Sequence, residues 1–216
     1  MTNKMPAWDL SDYYTSMKDA KIAKDLESYK QGTEEFAKRY KGKLAELSAE
    51  EFLAAAKDIE RRSKIASRLG GFAYLNMVTQ MKNVEAVAFY QDIQEKLTDY
   101  CKPAIFFSLE FNALPDAKIN EWLQNKDVAF YKYWIKRMRK FKDYELSEPV
   151  EEILVEKSLT SSEAWVRLCE ETSSRLVYTV DGKEYNDAEL SKLMLDKNPQ
   201  TREKAGKELN RVLKEN

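Results

Sequence analysis

Histidine is absent from this chain of 216 residues. Without an imidazole the chain cannot supply a Ser-His-Asp or Cys-His nucleophile pair, a histidine-containing zinc site, or a histidine pH switch. Cysteine is nearly absent, because Cys101 and Cys169 are the only two, too few for a disulfide scaffold or an all-cysteine zinc site. We therefore expect both thiols to be buried, and no catalytic or metal-binding residue in this chain.

Glycine and proline are scarce, with six and five residues respectively. A sandwich or barrel of many short strands needs more turn-forming residues than this, so those folds are excluded. No apolar run approaches the roughly 20 residues that a membrane-spanning helix needs, and no signal-peptide segment follows Met1. The net charge of −1 gives no overall field for nucleic acid or an anionic membrane. We expect a cytoplasmic protein with no nucleic-acid and no membrane partner.

What the sequence does contain is apolar residues at helical spacing. Ser48 and Glu51 form a capping box at the start of a helix predicted to reach about Gln80. The Gly70-Gly71 pair inside it should kink the helix or admit a close neighbour. After Asn83 a second long helix is predicted, bent by a proline at residue 103. Shorter helices are predicted to start at Pro115, Asp127, Ser147, Ser161 or Ser162, Asp187 and Pro199.

One segment alone is typical of strands. Leu176–Val180 is β-branched and aromatic, Asp181-Gly182 is a preferred two-residue turn, and Lys183–Tyr185 returns. The predicted fold class is therefore mostly α: a multi-helix bundle with long antiparallel helices and one small β-hairpin near residues 176–185. We divide it into an N-terminal long-helix region, 1–112, and a helical region with the hairpin, 113–216. The last helix has no glycine cap before Asn216, so we expect the natural chain to continue.

Two charged stretches have a plain and a functional interpretation. Lys132, Lys136 and Arg139 are interleaved with aromatic residues, a composition that can bind single-stranded nucleic acid. They fall opposite the apolar positions of the same helix, so we favour a solvated helix face. The acids Glu148, Glu152 and Glu156 lie one turn apart, as carboxylate metal ligands can, but the histidines of such bundle sites are missing. We predict a solvated acidic stripe.

A polar turn at Ser158–Ser162 runs directly into a helix that carries Trp165 and Arg167. Hydroxyls and free amides at a helix start can hold a carboxylate or a peptide end. The structural alternative is a capped turn followed by a core tryptophan. Both interpretations remain open from the residues alone.

Several segments taken together resemble a known family. They are Trp8–Tyr14 (WDLSDYY), Tyr40–Leu44 (YKGKL), Ala113–Asp116 (ALPD), Ser158–Thr160 (SLT) and Ala164–Leu168 (AWVRL). In this order they resemble the N-terminal part of oligoendopeptidase F, a family of zinc metallopeptidases of the thimet oligopeptidase type. The resemblance covers essentially the whole chain, and its last block is the most specific.

The resemblance implies a mostly helical enzyme, longer than this chain, that cleaves short peptides in a deep channel. In that family a His-Glu-x-x-His helix and a further Glu hold zinc, and the Glu between the histidines is the general base. None of these residues is present here, so no catalytic or metal residue carries over. The chain has no cofactor of its own, and zinc belongs to the full-length enzyme.

The resemblance also implies what this part of the enzyme would do. It would form one wall of the substrate channel, with a C-terminal catalytic domain and oligopeptide substrates as partners. Trp165, Arg167 and Glu170 are predicted to lie on the channel side and to bind substrate. Whether this chain is itself an enzyme stays open, and in isolation we expect it to be inactive. The alternative is a stand-alone helical protein-binding module whose apolar faces and hairpin edge recognise a partner.

Overall fold

The computed structural model describes residues 8–81 and 83–215. The chain forms two compact units that meet in sequence at Leu159 and Thr160. The sequence-based boundary lay earlier, after residue 112. We call the first unit the long-helix unit and the second the hairpin unit. Within the described residues, none of the helices has both the length and the apolar character needed to cross a membrane.

The long-helix unit contains eight helices within its described residues. They are α1 (Ala20–Tyr40), α2 (Ala49–Thr79), α3 (Val84–Cys101), α4 (Phe106–Ala113), α5 (Asp116–Trp122), α6 (Lys126–Ala129), α7 (Lys132–Arg139) and α8 (Glu148–Ser158). Single 3₁₀ turns lie at Leu44–Glu46, Lys102–Ala104 and Lys142–Tyr144. Helices α1, α2 and α3 pack on one another. Short segments connect them, as they connect antiparallel neighbours in a bundle.

Two helix starts test the capping residues that were predicted from the sequence. The predicted capping box is confirmed: Ser48 N donates to Glu51 Oε2 at 2.8 Å, and Glu51 N donates to Ser48 Oγ at 3.2 Å. The prediction that Asp127 caps the helix after α5 is wrong. Asn125 caps α6 instead, because its Oδ1 accepts from Asp127 N at 2.9 Å and from Val128 N at 3.4 Å.

Of the two predicted interruptions, only the one at the proline breaks a helix. The proline at residue 103 lies in the 3₁₀ turn Lys102–Ala104, which separates α3 from α4, because proline removes a backbone donor from a helix. The glycine pair lies inside α2, which continues from Ala49 to Thr79 without a break. A Cβ on Gly70 would lie 3.5 Å from Leu97 Cδ1, and one on Gly71 would lie 3.6 Å from Tyr13 Cε1. These are ordinary van der Waals distances, so a Cβ would fit at either position and the glycine pair is not required by a close neighbour.

The core of the long-helix unit is aromatic. Phe52 and Trp122 are both fully buried, and their rings stack with centroids 4.1 Å apart and planes inclined by 11°. Trp122 Nε1 donates to Leu47 O at 3.0 Å, so the indole has no unsatisfied donor. Phe111 and Ile135 belong to the same core. Side chains from both sides of residue 112 thus pack together, which is why the compact unit continues to Leu159.

The hairpin unit contains α9 (Ser162–Arg175), β1 (Tyr178–Val180), β2 (Lys183–Tyr185), α10 (Asp187–Met194) and α11 (Pro199–Glu215). The strands are antiparallel, with Val180 opposite Lys183. Asp181 (φ 52°) and Gly182 (φ 76°) form the turn, in the left-handed conformation that a type I′ turn requires. Buried Tyr178, Val180 and Leu190 pack against α11. The predicted fold class, a helical bundle with one hairpin, is confirmed.

Candidate functional site

The predicted substrate-binding residues lie on α9 of the hairpin unit. The N-cap residue of this helix is Ser161, whose carbonyl accepts from Trp165 N at 3.1 Å. Trp165 is 71% exposed, so the interpretation as a core tryptophan is wrong. The reason is that the described core of this unit contains no α9 residue: the hairpin, α10 and α11 bury one another.

Helical geometry places the three predicted residues on two sides of α9. At about 100° per residue, Arg167 lies about 200° from Trp165, whereas Glu170 lies about 60° from Arg167. Trp165 is exposed, while Arg167 and Glu170 are half-buried. Neither charged residue forms an ion pair within the described part of the chain. The helix therefore presents Trp165 to one side and the pair Arg167 and Glu170 to the other.

The apolar side of α9 is open to solvent. Leu168 is 52% exposed, and Cys169 is exposed beside it. The prediction of a buried Cys169 is therefore wrong, because helical spacing shows which residues share a face and not what covers that face. Cys101, at the end of α3, is half-buried, and its Sγ donates to Thr98 O at 3.2 Å. Burial raises the pKa of the Cys101 thiol, so this cysteine is a weak nucleophile.

Helix α8, in the long-helix unit, also buries none of its described residues. Its apolar residues Val150, Ile153 and Leu154 are 40–55% exposed. Two of its acids form ion pairs with lysines at helix ends: Glu148 Oε1 lies 2.6 Å from Lys41 Nζ, and Glu156 Oε1 lies 2.6 Å from Lys102 Nζ. The acidic stripe is therefore not simply solvated, since these two contacts connect α8 to the ends of α1 and α3.

The basic residues of α7 are likewise partly in solvent and partly engaged by the rest of the long-helix unit. Ile135 is buried and Lys132 and Lys136 are exposed, as the helical spacing predicted. The prediction that Arg139 also lies on the solvated face is wrong, because its side chain is only 14% exposed. It donates from Nη1 to Phe111 O at 3.1 Å and to Asn112 O at 2.8 Å. Arg139 thus satisfies carbonyls at the end of α4, where a cation is also favoured by the helix dipole.

Arg62 on α2 is a buried charge that the sequence analysis missed. It is 7% exposed, its guanidinium carbon lies 4.1 Å from the centre of the Phe36 ring, and Nη1 donates to Thr33 Oγ1 at 3.5 Å. Burial lowers the pKa of Arg62, and its Nε has no partner among the described residues. The burial of position 62 could have been predicted from the sequence, because this position follows Ile59 at the helical spacing of the apolar residues.

In the hairpin unit, one carboxylate connects β1 to α11. Glu208 Oε1 accepts from Thr179 N at 2.7 Å and from Arg211 Nη2 at 2.7 Å. The Arg211 guanidinium, followed by the Thr179 amide, lowers the pKa of Glu208 to about 2. Since the carboxylate holds both the hairpin and its own helix, its charge contributes to the stability of this unit.

We expect Glu208→Gln to remove a pH-dependent part of the stability of the hairpin unit. The folded pKa of about 2 lies below the ordinary value of 4.5, so the stabilisation is complete above pH 4.5 and is lost as the pH falls towards 2. Thermal unfolding followed by circular dichroism should separate wild type and variant at pH 6 and bring them together near pH 2. The control is Glu184→Gln, since Glu184 is exposed; an equal pH dependence in both variants would contradict the assignment.

Comparison with known proteins first shows which class of protein the chain resembles. The family model described as oligopeptidase F matches residues 110–178, a range that includes α7, α8 and α9. The chain is also similar in fold to a particular enzyme, oligoendopeptidase-F from Enterococcus faecium, in its crystal structure. That match has a TM-score of 0.71 and 17% identity, and covers 90% of this chain and 40% of the enzyme's chain.

These findings confirm the predicted resemblance to the N-terminal region of oligoendopeptidase F. At 17% identity the structural match shows the fold, and the family match adds the segment in which Ala113–Asp116 and Ala164–Leu168 lie. No curated protein matches the chain. The chain spans less than half the length of the enzyme it resembles.

Proposed function

We propose that this chain is the N-terminal, non-catalytic helical part of a zinc-dependent oligoendopeptidase that hydrolyses short peptides, and that it forms one wall of the substrate channel. The observation that carries the proposal is the fold similarity to oligoendopeptidase F over 90% of the chain. The oligopeptidase F match at residues 110–178 supports the same assignment from sequence. A cytoplasmic location is part of the proposal.

The zinc of such an enzyme would have to be held outside this chain. The sequence contains no histidine, and the described residues include no group of three or more Cys, Asp or Glu side chains placed to hold a metal ion. The residues present therefore do not fit a zinc site. The proposal assigns the metal and the hydrolytic chemistry to a C-terminal catalytic domain, which is the partner that this chain requires.

The two sides of α9 suggest how this helix would contribute. Arg167 and Glu170 share the half-buried side and form no ion pair with a described residue, so they can offer charge-assisted hydrogen bonds to the ends of an oligopeptide. Trp165, on the exposed side, offers a large apolar surface to the rim of the channel. We propose all three as channel-side residues, with the peptide nearer to Arg167 and Glu170.

We expect the purified 216-residue chain to hydrolyse no peptide, with or without added zinc. The physical reason is that it lacks the histidines that a peptidase zinc site of this type uses. The measurement is the fluorescence of an internally quenched oligopeptide incubated with the chain and ZnCl₂. Zinc-dependent turnover that copurifies with the chain would contradict the proposal.

The coding DNA past codon 216 gives an independent test. An open frame that encodes His-Glu-x-x-His would support the peptidase assignment. An immediate stop codon would overturn it and favour the alternative, a stand-alone helical protein-binding module. The observation that favours this alternative is the exposed apolar side of α9, where Trp165 and Val166 are 71% and 57% exposed.

A further inference from the structure

The β-hairpin has one bonded edge and one open edge. Val180 and Lys183 flank the two-residue turn and pair directly, so Thr179 and Glu184, the next pair, turn their N–H and C=O groups outward. On β1 the outward Thr179 N–H donates to Glu208 Oε1 at 2.7 Å. On β2, no described residue bonds the outward backbone groups of Glu184. The edge of β2 is thus free to pair with another strand.

A groove lies beside this open edge. Side chains alternate along a strand, so Lys183 and Tyr185 share one face of β2 while Glu184 lies on the other. Lys183 and Tyr185 line a groove of about 660 Å³ together with the C-terminal end of α10 and the residues after it. Leu195, at 84% exposure, is the most exposed of the apolar residues that line the groove.

The side chains that line the groove carry one more positive than negative charge. Three lysines line it, Lys183, Lys192 and Lys197, and none of them forms an ion pair with a described residue. Its two acids are engaged by backbone amides: Glu189 Oε2 accepts from Asn186 N at 3.0 Å, and Asp196 Oδ1 accepts from Asn198 N at 2.8 Å. Lysines without a carboxylate partner, beside a free strand edge, are complementary to carboxylates on an extended chain.

We propose that β2 accepts an extended acidic peptide as a third strand, with carboxylate side chains at alternate positions directed into the lysine groove. The backbone of the peptide would bond the outward N–H and C=O of Glu184, and its acids would face Lys183 and Lys197. A neutral residue would lie opposite the Glu184 side chain. This inference does not rest on the peptidase assignment, since it needs neither zinc nor cleavage.

Other occupants fit less well. In a second copy of this chain, antiparallel pairing about Glu184 would place two Glu184 carboxylates directly opposite each other, which destabilises a strand pair. A nucleic acid would neutralise the lysines but would leave the strand-type hydrogen bonds of the β2 edge unused. The combination of a free edge with unpaired lysines therefore favours a peptide.

The test uses the whole 216-residue chain and a fluorescent eight-residue peptide that alternates glutamate and threonine. Fluorescence anisotropy at low ionic strength, where charges are little screened, should give saturable binding. The same peptide with lysine in place of glutamate should not bind. A third peptide keeps the glutamates but carries N-methyl groups on the threonine amides; it should also fail, because the threonine opposite Glu184 then has no N–H to donate to the β2 edge.

Two variants locate the site. Lys197→Glu should weaken binding about fivefold, whereas the matched control Lys214→Glu, on α11 and outside the groove, should change it little. Glu184→Pro removes the outward N–H and leaves the ladder bonds of Lys183 and Tyr185, a position that tolerates proline. It should abolish binding while the circular dichroism spectrum stays native.

The proposal is overturned by any of four results. These are no saturation up to about 1 mM peptide, equal binding of the N-methylated peptide, equal weakening by Lys197→Glu and Lys214→Glu, or stronger binding of a single-stranded oligonucleotide than of the acidic peptide. The N-methylated peptide keeps the test decisive even if Glu184→Pro does not fold. A peptidase assignment could fail while peptide binding at β2 holds, and the reverse also applies.

Discussion

Replacement of Trp122 by alanine is expected to lower the free energy of unfolding of the long-helix unit by about 3–5 kcal/mol. The indole is fully buried, stacks on Phe52 at 4.1 Å, and donates to Leu47 O at 3.0 Å. Alanine would leave a cavity beside Phe52 and an unsatisfied carbonyl at the turn before α2, and both effects destabilise the fold. Urea unfolding followed by circular dichroism measures the change.

Trp165→Ala is the matched control, because it removes the same side chain from an exposed position. Trp165 is 71% exposed and belongs to no described core cluster, so the free energy of unfolding should change by less than about 0.5 kcal/mol. An equal loss for both tryptophans would show that α9 is covered in solution, contrary to the exposed side described above. Trp122→Phe should lie between the two, since it keeps part of the stack and loses the hydrogen bond to Leu47.

Local patterns in the sequence were enough to predict most of the helical fold. Asn83 caps α3, since its Oδ1 accepts from Glu85 N at 3.0 Å. This cap, the capping box at Ser48 and the turn at Asp181-Gly182 depend on neighbouring residues and on backbone sterics, so the sequence specifies them directly. The Asp127 cap failed because two residues able to cap stood two positions apart. Asn125 also donates from Nδ2 to Glu50 Oε1 on α2 at 3.1 Å, a tertiary contact that local sequence does not show.

Less of the candidate site could be predicted from the sequence, and the physical reason is different. A helical period shows that Trp165, Leu168 and Cys169 share a side, but burial depends on what else packs there, and the described hairpin unit offers nothing to α9. The open edge of β2 was in part predictable, since a lone two-stranded hairpin has two edges. That Glu208 satisfies one of them, across 29 residues, is a tertiary contact with no local signal.

Arg139→Met is expected to destabilise the long-helix unit by about 1.5–3 kcal/mol, the range for hydrogen bonds to charged groups. Methionine keeps the packing of the aliphatic stem but cannot donate to Phe111 O and Asn112 O, which Arg139 Nη1 reaches at 3.1 and 2.8 Å. Phe111 and Asn112 are buried, so water cannot readily replace the lost donor. The ion pair with Asp116 adds little, because the Asp116 side chain is 84% exposed.

The control for Arg139 lies two residues earlier on the same helix. Arg137 is exposed, so Arg137→Met removes an equal charge and should change the free energy of unfolding by less than about 0.5 kcal/mol. Arg139→Lys should give an intermediate loss, since a single ammonium lacks the planar fork that reaches two carbonyls and a carboxylate together. If Arg137→Met and Arg139→Met were equally destabilising in urea, the loss would come from charge or helix propensity, and the role of Arg139 at the end of α4 would be refuted.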